Sequence, residues 1–384
     1  MTGTSDRTPP AVAAFTDTYL PTINGVTYTI SAWRDRWADR GGRMDVIYPA
    51  SSNEPEAGEY PVRSLPFPFY DGFRLGLPQV PDAVGPVDLV HSHSPFSLGF
   101  AGYRMAQKRE VPFVVSYHTP IAEYAEYVAP RRAAGLVSRV SRRYESVFLD
   151  RADLVLTPSE STRSAVASRT STPVRSHPNG VDVGFFAPTD PTDFLERYGL
   201  PAGEFLVGYT GRHGYEKNLD RILDATADLE VTVVFGGDGP ARESLERLAG
   251  EAGVDARFLG FLDREELPEF YSAIDVFAFP SPVETQGLVA LESIACGTPV
   301  VAVDSGALSK TVTDGSTGYH YEPGSVSNFR EKIERAKDEG SSLSTNCLDV
   351  RQDISLDRSM DHLESAYREL LAAEDGGPAS ENGA

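Results

Sequence analysis

Two glutamates, Glu284 and Glu292, are separated by seven residues in the segment PSPVETQGLVALESIACGTP at 280–299. An ionised carboxylate accepts two hydrogen bonds from one diol, so such a pair suits a hydroxyl-rich ligand. The apolar spacing predicts a helix that carries Glu292 and ends at Gly297. Eight helical steps cover about 12 Å, comparable to the span from a hexose across a diphosphate to a ribose. Gly287 allows backbone to approach a ligand closely. The N–H groups that open the following helix favour diphosphate oxygens. Spacing alone fits two surface glutamates on one helix at least as well.

A second candidate is His118, which follows the apolar run FVVSY and stands at the carboxyl end of that expected strand. Ligands of parallel α/β sheets bind at this end, although a lone histidine is as readily structural. His91 and His93, in HSHSP, end another strand. With no cysteine or acidic neighbour they make a poor metal site and read as core or supporting groups. No credible Asp-x-Asp motif occurs, so no metal and no cofactor are expected.

These residues need a scaffold. Apolar strand-like runs occur at 11–15, 44–48, 87–91, 113–117, 152–156 and 173–177, with amphipathic stretches at 25–39, 96–109, 131–150 and 159–168 between them. After a polar, proline-bearing stretch at 179–200 the rhythm restarts, with strands at 205–210, 231–236, 256–260, 275–279, 299–303 and 317–321. Near-continuous apolar strands separated by helices predict parallel sheets covered on both faces. The expected class is α/β, with two Rossmann-like domains at 1–184 and 185–355 facing across a cleft. A helix at 356–372 is expected to cross back to the N-terminal domain, and 373–384 reads as a disordered tail.

The 384 residues are 40% hydrophobic, enough for two ordinary cores. No run of about 18 apolar residues exists to span a bilayer. The N-terminal MTGTSDRTPP reads as a short polar lead-in, and two cysteines suggest a reducing cytoplasm. The net charge is −21, and the 35 basic residues include only five lysines. That balance argues against nucleic acid as a partner. It suits a high-salt cytosol, where screening removes self-repulsion, or an ordinary acidic protein.

The 280–299 segment resembles the E-x7-E signature of retaining glycosyltransferase family 4, which has the two-domain GT-B fold. Other segments stand in the family's order and spacing: FTDTYLPTINGV at 15–26, GRHGYEKN at 211–218, GGDGP at 236–240, LGF at 259–261 and TDGSTGYHYEPG at 313–324. Two departures are Gln286, where many members carry an aromatic, and a single glycine at Asn24–Gly25 where many have a pair. The resemblance implies that Arg212 and Lys217 clamp a diphosphate, Glu284 binds donor-sugar hydroxyls and Glu292 the ribose. Gly25 would offer backbone N–H groups to the phosphate, and Gln286, Gly287, Leu288 and Phe261 would line the donor site. His118 would lie beside the reacting sugar carbon. It further implies a nucleotide-sugar substrate, no metal, and front-face transfer with retention.

Between Val128 and Tyr144 there are five arginines (Arg131, Arg132, Arg139, Arg142 and Arg143) and no acid. With Leu136, Val137 and Val140 interspersed, they predict a basic amphipathic helix. It suits an anionic membrane surface, and equally an ordinary solvated arginine face. Glu123, Tyr124 and Tyr127 after the His-Thr pair, together with LPFPFYDGFRLGLP at 65–78, are similar to members that glucosylate diacylglycerol-type lipids. This implies a lipid acceptor near Tyr124 and Tyr127, and a cytoplasmic enzyme peripheral on the inner membrane face. Transfer to a surface polysaccharide or lipid-linked N-glycan stays open as an alternative, as does a non-catalytic nucleotide-sugar-binding scaffold.

Overall fold

The computed structural model describes residues 8–22, 24–66, 74–118 and 134–375. The chain divides into two compact units, Met1–Asn179 with Ser359–Ala384, and Gly180–Arg358. The division falls five residues before 184, because Val181 already bonds into the second unit: its N–H donates to Ile354 O and its carbonyl accepts from Leu356 N.

The first unit is built on β1 (Ala11–Phe15), β2 (Arg43–Pro49), β3 (Glu59–Val62), β6 (Leu89–Ser92), β7 (Phe113–Ser116), β8 (Leu154–Thr157) and β9 (Val174–Ser176). They form one parallel sheet in the order β3-β2-β1-β6-β7-β8-β9. The run AVAAF becomes an inner strand because four of its five side chains are buried. A separate antiparallel pair, β4 (Ser64–Pro66) and β5 (Arg74–Gly76), was not expected from local pattern. Helices α1 (Gly25–Asp39), α2 (Ser97–Arg109), α3 (Ala134–Leu149) and α4 (Glu160–Ala167) connect the strands.

Caps set where these helices begin. Asn24 Oδ1 accepts from Thr27 N at 3.0 Å and starts α1. Helix α2 has no side-chain cap at Phe96; instead Asp17, in the loop after β1, accepts from Ser97 Oγ at 3.1 Å and Leu98 N at 3.4 Å. Burial pushes the Asp17 carboxyl up to about 6, against the pull of these hydrogen bonds.

The second unit has β10 (Leu206–Thr210), β11 (Thr232–Gly236), β12 (Ala256–Gly260), β13 (Val276–Phe279), β14 (Val300–Val303) and β15 (Gly318–Tyr321) in a parallel sheet. Their order is β12-β11-β10-β13-β14-β15. The stretch 179–200 is more than a polar connection: it holds α5 (Thr192–Tyr198), whose Phe194 is fully buried. Helices α6 (Asp220–Thr226), α7 (Arg242–Ala252), α8 (Leu267–Ala273), α9 (Leu288–Ala295), α10 (Leu308–Thr311) and α11 (Val326–Asp349) follow. Phe329, Ile333, Ala336, Leu343 and Cys347 form the buried stripe of α11, at helical spacing.

The last helix, α12, runs Leu356–Asp375, three residues beyond the expected end, so 373–375 are helical and only 376–384 lie outside the described residues. From Ser359 on it belongs to the first unit. There Tyr367 packs edge-on against Trp37 at 5.6 Å, and Arg40 pairs with Asp361 at 2.7 Å. Among the described residues no helix is long and apolar enough to cross a membrane.

Candidate active site

In the second unit the candidate residues gather past the carboxyl ends of the strands. The loop after β10 is held against the loop after β11 by backbone bonds, from Gly211 N to Gly236 O and from His213 N to Asp238 O. Gly237, at φ +106°, permits this contact, since a Cβ there would stand 2.1 Å from Gly211 O. This rigid loop carries Arg212 and, on the 3-10 turn Tyr215–Lys217, Lys217. Arg212 is about half exposed and its Nη1 lies 2.7 Å from Glu216 Oε1. Lys217 Nζ lies 2.6 Å from Glu284 Oε1, with only 14% and 16% of the two side chains exposed. Lys217 is therefore no solvated surface lysine.

Glu284 is not helical. It sits in the loop between β13 and α9, so the 12 Å span of eight helical steps does not apply, and two surface glutamates on one helix is excluded. Gly287 ends that loop at φ +82°, as the N-cap of α9, which has no side-chain cap and no acid in its first turn. The left-handed backbone at Gly287 favours glycine, and a Cβ there would also displace the Leu308 Cδ2 methyl, at 2.7 Å. Gln286 is buried, and its carbonyl accepts from Thr311 Oγ1 at 2.6 Å. Leu288 packs half-buried on the core of the unit. Glu292 lies on α9 and accepts at Oε2 from the buried Tyr271 hydroxyl at 2.7 Å. Burial pushes the Glu292 carboxyl up; the Tyr271 bond and the Arg264 charge hold it down. Phe261, just past β12, is 60% exposed.

In the first unit Gly25 opens α1 and is exposed. His118 lies just past β7, and the register pairing His91 with Val114 and Ser92 with Val115 brings His93 beside it. His93 Nδ1 and His118 Nε2 are 2.9 Å apart. Burial pushes His118 down to about 4 and His177 to about 3, and lowers His91 and His93 strongly. The Trp33 ring lies within contact range of all four imidazoles, at 5.1 Å from His177 and 5.7 Å from His93. Among the described residues no group of three or more His, Cys, Asp or Glu is placed to hold a metal ion.

On α3 the residues Ser138, Glu145, Phe148 and Leu149 are buried. Arg139, Arg142 and Arg143 are exposed together with Val137 (37%), Val140 (61%) and Tyr144 (38%), an apolar stripe between arginines. Tyr124, Tyr127, Arg131 and Arg132 lie outside the described residues.

A recess of about 850 Å³ in the second unit, lined by Glu204, Asp255, Asp275 and Lys337 among others, opens at the amino ends of its strands. It is at the wrong edge of the sheet for ligands of this architecture, and the residues above lie at the other. Sequence reasoning did not find Tyr271 or Trp33, because no local pattern ties them to the residues they contact; Glu216 was within reach, four residues from Arg212 in the same segment.

Residues 191–347 match the family model described as glycosyl transferases group 1, and residues 23–185 match that of glycosyltransferase family 4. The chain is 31% identical over 322 residues to a GDP-mannose-dependent alpha-mannosyltransferase of Mycolicibacterium smegmatis, covering 80% of this chain and 83% of that one. It is 28% identical over 335 residues to the alpha-monoglucosyldiacylglycerol synthase of Streptococcus pneumoniae, covering 81% and 75%. Sucrose-phosphate synthase from Thermosynechococcus elongatus has the same fold, with a TM-score of 0.79 at 23% identity over 95% of this chain and 100% of that one. With two parallel-sheet units of the GT-B type and a matched relative over most of its length, the chain belongs to glycosyltransferase family 4 and is a sugar-transferring enzyme.

Proposed function

We propose that the enzyme moves a hexose from a nucleoside diphosphate sugar to a glycerolipid-type acceptor at an anionic membrane surface, with retention at the anomeric carbon. The observation that carries this reading is the Lys217–Glu284 contact: a cation suited to a diphosphate touches a carboxylate suited to sugar hydroxyls, beyond the carboxyl ends of a parallel sheet. Arg212 and Lys217, with the uncapped N-terminus of α9, supply positive potential for the departing diphosphate. Glu284 takes the sugar hydroxyls, and Glu292, oriented by Tyr271, takes the ribose diol. The Gly25 end of α1 offers further N–H groups, and Phe261 a face for the base. These groups do the work a divalent metal does elsewhere, so chelator should leave turnover unchanged.

Both glutamates are committed to recognition, so neither serves as a nucleophile. The acceptor oxygen attacks the anomeric carbon on the face from which the diphosphate leaves. The C–O bond to phosphate breaks, its electron pair goes to the phosphate oxygen, and that oxygen takes the acceptor proton. By the resemblance to the family, we assign His118 to the reacting sugar. The exposed valines and arginines of α3 provide a surface for anionic lipid. The names of two relatives, a GDP-mannose-dependent alpha-mannosyltransferase and an alpha-monoglucosyldiacylglycerol synthase, support the donor and acceptor classes. The net charge of −21 favours a high-salt working environment; full activity and a cooperative melt in dilute buffer would count against that.

The deciding experiment is a thermal-shift panel of UDP, GDP, ADP and their hexose conjugates in high potassium with chelator present. A ligand at a hundred times its Kd stabilises by about 2.7 kcal/mol. A selective response identifies the donor and opens an acceptor screen led by membrane lipids. No response to any member overturns the reading, and an inverted anomer in the product overturns its mechanism.

A further inference from the structure

The two imidazoles past β6 and β7 are joined in a way that assigns protons. His93 Nδ1 and His118 Nε2 are 2.9 Å apart, the ring planes differ by 13°, and the centroids lie 5.2 Å apart. Two rings bonded edge to edge by an N–H···N bond place their centroids about one ring width beyond the N···N distance, so this is an in-plane hydrogen bond and not a face-to-face stack. Burial keeps both rings neutral near pH 7, so each carries one proton and one lone pair. His91 competes for neither ring, because its Nδ1 is 2.6 Å from the Tyr367 hydroxyl and its Nε2 is 2.9 Å from Ser116 Oγ.

The other nitrogen of His93 decides the direction of the bond. Among the described residues His93 Nε2 is buried with no hydrogen-bond partner. A proton there would be a buried orphan N–H, which proteins avoid more strictly than an under-used acceptor. The proton of His93 therefore belongs on Nδ1, inside the bond, and His118 Nε2 accepts it. His118 must then carry its own proton on Nδ1.

We propose that His93 is the positioning residue of His118: by donating Nδ1–H to His118 Nε2 it fixes the Nδ1-protonated tautomer and the ring plane. With Nε2 engaged by His93 and the proton on Nδ1, His118 is a hydrogen-bond donor and not a base at the reacting sugar. This rests on the proposed place of His118 at the reacting sugar. Trp33, 5.7 Å from His93 and 6.4 Å from His118, and the lowered His177 beyond it keep water and fixed charge away from the pair.

The test uses the full chain labelled with 15N-histidine and four variants. Long-range 15N–1H spectra of the wild type should show His118 protonated at Nδ1. His93→Asn places an amide nitrogen where Nδ1 was and should keep kcat within about threefold. His93→Asp accepts only, forces His118 to the Nε2-protonated form and should lower kcat about tenfold or more. His93→Leu, which supplies no partner, should fall similarly, with donor KM changed less than about twofold. In His93→Asp the carboxylate should also raise the His118 pKa, so that the doubly protonated ring regains its Nδ1–H and part of the lost kcat returns as pH falls. An Nε2-protonated His118 in the wild type overturns the inference. So does wild-type kcat in His93→Asp while His118→Ala is inactive. Wild-type kcat in His118→Ala instead sinks the site assignment beneath it. Should His93→Leu fail to fold, the wild-type spectrum and the Asn–Asp pair still decide.

Discussion

Lys217 and Glu284 neutralise each other, Nζ to Oε1 at 2.6 Å, with each side chain largely covered. Their 67-residue separation in sequence is closed by the β10–β13 pairing of the sheet. A donor must part them, the diphosphate claiming the lysine and the sugar hydroxyls the carboxylate.

The pairing alters what alanine replacements should do. From sequence, Glu284→Ala and Lys217→Ala are expected to abolish transfer with little change in melting. Because each removal takes this partner from a largely covered charge, each single variant should also lose about 1–3 kcal/mol of stability. The double variant should recover most of that loss and remain inactive. A thermodynamic cycle from denaturant melts checks this; additive losses would show that the pair contributes nothing.

Tyr271→Phe should raise donor KM several-fold while changing kcat less, since the hydroxyl only steadies Glu292. Without that bond the carboxyl, already pushed up by burial, rises further. The KM defect should therefore widen as pH falls. Steady-state kinetics at pH 6 and 8 test it, and an equal defect at both would break the link to protonation.

The histidine cluster makes the first unit acid-labile. His118 at about 4 and His177 at about 3 are lowered from 6.5, so the unfolded chain binds protons that the folded one refuses. Stability is fully present above the unfolded value and is lost as pH falls through the window from about 6.5 towards 4, by at most about 1.4 kcal/mol per pH unit for each histidine. Asp17, raised to about 6, and Asp45, also raised by burial, act with the opposite sign as pH falls, but as two groups against four lowered histidines. Melting temperature should fall steeply from pH 6.5 to 4.5, and His177→Asn should flatten that fall. An unchanged slope in His177→Asn would exclude this histidine as a contributor.

Replacing Arg139 and Arg143 with Glu and Val140 with Asp should abolish binding to anionic vesicles at low salt. All three side chains are exposed, so the melting curve should hardly move. Co-sedimentation with vesicles containing or lacking anionic lipid gives the answer; undiminished binding by the triple variant would place the lipid contact elsewhere.

Elements with strong period were legible. AVAAF, FVVSY and FLVGYT each became inner strands because continuous apolar runs of that length have one good use in a parallel sheet. Gly287 and Gly297 bracket α9 as read, through left-handed backbone that only glycine adopts easily. The edge strand Glu59–Val62 was not legible. It contains a proline and a glutamate, and it forms because Glu59 is buried against the Tyr19 hydroxyl at 3.0 Å and the Arg34 guanidinium.

The amino-acid order by itself determined the α/β class, the tandem sheets, the helix bearing Glu292 and the residue types for a sugar and a diphosphate, since period and composition act over a few neighbouring residues. Only the tertiary structure decided that Glu284 leaves the helix to meet Lys217, that Tyr271 steadies Glu292 and that His93 bonds His118. Those contacts join groups 67, 21 and 25 residues apart, brought together by strand register and loop packing that no local pattern encodes.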